Sequence, residues 1–146
     1  MDEIRAAETR LSIHRKANTL KQNGDYAAAE KVYRDALLIY PNKPGMMLGL
    51  AGVLALQGKS EEAIELMEKG LPISINDPQK AETRAALCFL YLKCGKAEKA
   101  NSLAAKLPHM RESREVIQPI LASKPSADEI DEHMRSILLG DHNQIW

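Results

Sequence analysis

Neither sign of charge dominates this chain: 20 Lys and Arg offset 20 Asp and Glu. No global field therefore draws it to nucleic acid or to an anionic membrane. Aromatic residues are scarce, at 4%. The densest basic stretch, with Arg10, Arg15, Lys16 and Lys21, has no aromatic neighbour on which a base could stack, so it reads as a solvated helix face. Long apolar runs are missing too. The greasiest segment, Met46 to Leu56, falls short of the roughly 20 residues a bilayer span needs. The opening residues, Met1-Asp-Glu-Ile-Arg5, lack the basic-then-apolar layout of a secretory signal. With only Cys88 and Cys94 there is no disulfide framework, and both thiols fit a reducing compartment. The cytoplasm is the expected location.

The inventory for chemistry is equally thin. His14, His109, His133 and His142 are far apart, and none forms a zinc-type pair with a cysteine or another histidine, so no metal is expected. Gly45, Gly49 and Gly52 fall inside a helical run and lack the lysine and hydroxyl residue that cradle a phosphate. Cys88 sits mid-helix on an apolar face with no histidine placed to activate it, which makes it a structural cysteine. The carboxylates Glu61, Glu62, Glu65 and Glu68 have the spacing of an exposed helix face. No cofactor and no enzymatic activity are expected.

What the chain does have is a repeat. Gly24, Gly58 and Gly95 are each followed five residues later by alanine, at Ala29, Ala63 and Ala100. The steps between the glycines are 34 and then 37 residues, so one unit recurs and then recurs again with a three-residue insertion. Between the glycines lie paired stretches of helical periodicity, broken at Pro41, Pro72 and Pro108. Two helices in a period of 34 residues describe stacked helical hairpins.

The first hairpin pairs a helix from about Arg10 to Asn23 with one running from Asp25, its expected N-cap, to about Ile39. The second joins Met46–Leu56 to Ser60–Lys69, ended by Gly70, with the extra residues in a link from Leu71 to Gln79. The third joins a helix starting near Lys80 to Ala97–Leu107, stopped by Pro108. Beyond it, Glu112–Ser123 reads as a helix disturbed by Pro119. Ser126-Ala-Asp-Glu129 is a capping box that opens a last amphipathic helix, with Ile130, Met134, Ile137 and Leu138 on one side and Gly140 at its end. No flexible linker divides the chain, so residues 1–146 are expected to form one domain, with C-terminal helices over about 111–140.

These residues resemble the tetratricopeptide repeat, a helix pair with small residues where the helices cross. Ala17, Gly24, Ala29, Tyr33, Ala36 and Pro41 carry the resemblance in a first repeat, about residues 10–43. Ala51, Gly58, Ala63 and Gly70 carry it in a second, about 44–80, and Cys88, Gly95 and Ala100 in a third, about 81–108, where Ala104 replaces the aromatic. The resemblance implies an all-α, right-handed superhelical solenoid of three hairpins plus C-terminal helices.

It also implies a concave groove lined by the first helix of each repeat. Here that groove would hold His14 and Asn18, then Leu48, Gly49, Gly52 and Leu56, then Ala85, Ala86, Phe89 and Leu92. Family members that grip chaperone C-terminal carboxylates use Lys, Asn and Arg at groove positions where this chain has His14, Asn18, Gly49, Glu82 and Ala86. Only Asn18 matches. A small, apolar groove suits an amphipathic helix laid against the backbone.

Two readings of that groove stand: it takes a peptide or helix from another protein, or the chain's own last helix fills it. The function expected is a non-catalytic adaptor, scaffold or chaperone-like module. A second, narrower resemblance offers an alternative. Tyr91–Ala100, with Leu107-Pro-His and Ser113-Arg-Glu, is similar to the C-terminal repeats of some bacterial helix-turn-helix regulators. It would imply a sensory domain responding to a peptide or small ligand. Self-association through Leu48, Leu56, Phe89 and the last helix is a third option.

Overall fold

The computed structural model describes residues 2–72, 81–106 and 117–139. They form eight helices in chain order: α1 (Asp2–Gln22), α2 (Tyr26–Ile39), α3 (Pro44–Leu56), α4 (Ser60–Gly70), α5 (Ala81–Lys93), α6 (Ala97–Ala105), α7 (Gln118–Ala122) and α8 (Ala127–Leu138). No strand occurs among the described residues. The pairs α1–α2, α3–α4 and α5–α6 are hairpins, and α2 packs on α3 as α4 packs on α5, so the architecture is the expected all-α solenoid.

The three turns are built identically. Gly24, Gly58 and Gly95 have φ of +81°, +81° and +76°, the left-handed region that a side chain would make strained. Their N–H groups donate to the carbonyls of Lys21, Ala55 and Leu92, three residues back. The next residues, Asp25, Lys59 and Lys96, donate to Leu20, Leu54 and Tyr91, five residues back. This is the Schellman closure, which satisfies carbonyls that a helix end otherwise leaves unpaired. Asp25 then caps α2 as its sequence position suggests, accepting from the Ala28 N–H.

Where the helices of a hairpin cross, side chains are small and sealed. Ala17 and Ala29 are buried, as are Ala51 with Ala63 and Cys88 with Ala100. Close approach of two helices requires such residues. Consecutive repeats interlock through Tyr33 and Glu30 of α2. A Cβ on Gly49 of α3 would collide with the Tyr33 ring, so the glycine is the seat of that tyrosine. Glu30 accepts from Arg34 of its own helix at 2.7 Å and from Gln57 (2.8 Å) and Lys59 (3.0 Å) at the next turn. Arg34 goes on to Glu62 of α4 at 2.7 Å.

Several boundaries differ from the sequence reading. Helix α1 starts at Asp2 rather than near Arg10, because Asp2–Thr9 contains neither proline nor glycine to stop it. Val32 and Leu37 are only half-buried, whereas Ala29, Tyr33 and Ala36 are fully inside. Helix α6 ends at Ala105, short of Leu107. Pro119 lies in the first turn of α7, just after a π turn at Ile117, and the earlier part of the expected helix lies outside the described residues. The expected link through residues 73–80, the stop at Pro108, the onset at Glu112 and the end at Gly140 lie outside the described residues.

Candidate partner-binding groove

Helix α8 decides what the concave face can do. Its capping box is complete: the Ser126 hydroxyl accepts from the Glu129 N–H at 3.2 Å, and Glu129 accepts from the Ser126 N–H at 3.1 Å. Those bonds to the ionised form hold the Glu129 carboxyl below the usual carboxylate range. The helix buries Ile130, Met134 and Ile137 on one stripe, as its periodicity predicts. At about 1.5–3 kcal/mol for each large apolar side chain removed from water, this stripe is a strong anchor.

The anchor lies across the first helices of the repeats. Asp131 pairs with Lys93 at 2.6 Å, at the last residue of α5. His133 stacks on Phe89 of the same helix. Leu138 reaches Gly52 of α3, where an added Cβ would stand 3.5 Å from its Cδ2. The Leu139 carbonyl accepts from Gln22, the last residue of α1, at 2.8 Å. Lys93, Phe89, Gly52 and Gln22 all belong to the C-terminal halves of α5, α3 and α1. Helix α8 therefore crosses the concave face from the third repeat to the first, over one half of it.

The ten residues expected to line the groove fall into three groups. Phe89, Ala85 and Ala86 have no exposed surface. Phe89 is covered by α8, as Gly52 is by Leu138. Leu48 and Gly49 face neighbouring helices of the solenoid. Leu48 is 5% exposed and its Cδ2 would be 2.8 Å from a Cβ at Gly70 of α4, while Gly49 seats Tyr33. His14, Leu56 and Leu92 are half-buried and Asn18 is exposed. His14 Nδ1 lies 3.2 Å from the Tyr33 hydroxyl, and its Nε2 would be 3.4 Å from a Cβ at Gly45. Burial pushes that Tyr33 hydroxyl up to about 12, which keeps it protonated.

Leu11, which the repeat pattern also places on the concave side, stands about one turn before His14 and two before Asn18 on α1 and is 50% exposed. Lys21, near the end of α1, has its ammonium pKa lowered by burial, against an opposing attraction from Glu82 of α5.

Burial pushes the Cys88 thiol up to about 12, so it holds its proton and is a poor nucleophile. The Cys94 thiol is also raised, first by burial and then by Glu61. No group of three His, Cys, Asp or Glu residues able to hold a metal occurs among the described residues. No helix among the described residues is long and apolar enough to cross a membrane.

Comparison with known proteins agrees with this geometry. Residues 14–79 match the family described as Tetratricopeptide repeat, from the second half of α1 through α4. Over 88 residues the chain is 31% identical to the TPR repeat-containing thioredoxin TTL4 of Arabidopsis thaliana, a match spanning 60% of this chain and 12% of that protein. The third hairpin lies beyond the family match, but its turn at Gly95 repeats the hydrogen bonding of Gly24 and Gly58.

Proposed function

We propose that this tetratricopeptide-repeat protein is a non-catalytic adaptor or chaperone-like module, which holds a peptide or amphipathic helix of another protein on the half of its concave face that α8 leaves open. The family supports protein binding as the general role. The observation that carries the finer reading is the course of α8, whose contacts at Lys93, Phe89, Gly52 and Gln22 all lie in the C-terminal halves of the groove helices.

Displacing α8 would re-expose Ile130, Met134 and Ile137, at a cost of about 1.5–3 kcal/mol for each. A partner gains more by lying alongside it. On this reading Leu11, His14 and Asn18 touch the partner. Gly52, Leu56, Phe89 and Leu92 belong to the half that α8 takes, while Leu48, Gly49, Ala85 and Ala86, in the first halves of α3 and α5, lie behind the partner's surface. Glycine and alanine there keep the backbone close to whatever lies above.

The test is a photo-crosslinking amino acid placed at Asn18 on the concave side or at Glu65 on the exposed face of α4. Irradiation in a native lysate is expected to give a discrete adduct from position 18 that Leu11→Asp suppresses, and none from position 65. Equal labelling at the two positions, or an adduct indifferent to Leu11→Asp, would sink the reading.

A further inference from the structure

A second surface lies away from the groove. Between α4 and α6, with α5 as its floor, the solenoid opens into a cleft of about 510 Å³. The hairpins are less closely joined here than at the first junction, with α4 touching α5 at fewer places than α2 touches α3. The volume falls within the range of about 300–1,000 Å³ typical of ligand sites, enough for one or two large side chains.

The chemistry of the cleft is uneven. Its floor is apolar, made by Met67 and Leu71 from the end of the second hairpin and by Leu87 and Leu103 from the third. Its rim is cationic on the α6 side, where Lys99 and Lys106 are both exposed. Arg84 of α5 also lines the cleft and has interactions of its own. Among the described residues the lining holds one carboxylate, Glu68, whose charge adds to burial in raising the Tyr91 hydroxyl. Lys99 Nζ lies 5.7 Å from the centre of the Tyr91 ring, within reach of a cation–π contact. Among the described residues, two exposed lysines at the edge of an apolar hollow give it a positive bias.

We propose that this cleft docks an acidic segment of a second protein, with one apolar side chain, Leu or Phe in type, inserted between α4 and α6 and Asp or Glu residues on either side meeting Lys99 and Lys106. The floor supplies affinity by removing an apolar anchor from water. The rim supplies selection, because a basic segment would bring like charges together across the opening. Anionic membranes and nucleic acid would answer to the same cations. Neither offers a single apolar side chain for the hollow, and that difference separates them from the acidic segment.

The experiment uses the full chain and a fluorescent twelve-residue peptide with Phe at its centre and four Glu around it. Three controls accompany it: Lys in place of Glu, Ser in place of Phe, and a single-stranded oligonucleotide of like charge. The acidic peptide is expected to bind, to lose at least tenfold in affinity with either peptide control, and to weaken as salt rises from 50 to 500 mM. The double variant Lys99→Glu, Lys106→Glu changes only exposed side chains, so it should keep the fold by circular dichroism. It is expected to lose the acidic peptide and gain the basic one. Amide shifts on binding should centre on Leu87 and Leu103 and spare Leu11 and Asn18.

Binding that ignores the Phe-to-Ser change, or an oligonucleotide that binds as well as the peptide, would overturn the proposal in favour of a bare electrostatic surface. No binding of the acidic peptide at millimolar concentration, or no exchange of preference in the double variant, would overturn it outright.

Discussion

The imidazole of His133 lies on the ring of Phe89, with centroids 5.3 Å apart and planes inclined by 18°. One ring belongs to α8 and the other to the groove face of α5, so this stack joins the last helix to the third repeat. Together with the Lys93–Asp131 pair it sets where α8 crosses the concave surface.

It follows that Phe89 is a core residue. Phe89→Asp should destabilise the isolated chain strongly, because a carboxylate would be buried without a partner. Phe89→Ala should cost about 3–5 kcal/mol, from lost burial and the cavity left behind. Urea unfolding measures both. A Phe89→Asp protein that unfolds at the wild-type midpoint would mean that α8 does not cover this position. Truncation before Ser126 should likewise expose Phe89 and Gly52, seen as dye binding and aggregation.

The crossing residues give a second expectation. Ala29 and Ala63 have no exposed surface, and each sits where its hairpin is tightest. Replacing either with Leu forces extra methylenes between two helices and should destabilise by about 1–3 kcal/mol. Thermal midpoints unchanged in both variants would show that the hairpins cross elsewhere.

A third concerns acid. Side-chain bonds from Arg34, then Gln57 and Lys59, lower the Glu30 carboxyl from 4.5 to about 2. A carboxyl depressed on folding stabilises the fold fully above its unfolded value, and that contribution fades as pH falls from about 4.5 towards 2. The stability gap between wild type and Glu30→Gln should therefore be widest above pH 5 and close by pH 2, in denaturant titrations at matched salt. A gap that does not vary with pH would mean that the network between the first two repeats contributes nothing through charge.

The repeat was legible because its signals are local. A glycine in the left-handed turn, an alanine at the crossing and a Ser-x-x-Glu box each fix a backbone geometry that neighbouring residues cannot override, and Gly24, Ala29 and Ser126 all act as their sequence context predicts. The groove was less legible because periodicity tells which residues share a face and not what covers that face. Gly49 has the spacing of a groove residue, yet the Tyr33 ring takes its space from the preceding repeat. Leu48 lies one residue away and turns instead to Gly70 within its own hairpin. Of the two occupants weighed for the groove, the chain's own last helix takes the half that contains Phe89 and Gly52.

The remaining half is where the proposed function stands or falls, and hydrogen–deuterium exchange of the full chain with its crosslink-identified partner tests it most directly. Added protection is expected in α1 around Leu11–Asn18 and at the start of α3, with exchange in Ala127–Leu138 unchanged. Faster exchange in α8 on binding would contradict the account, since the partner would then be replacing that helix instead of lying beside it.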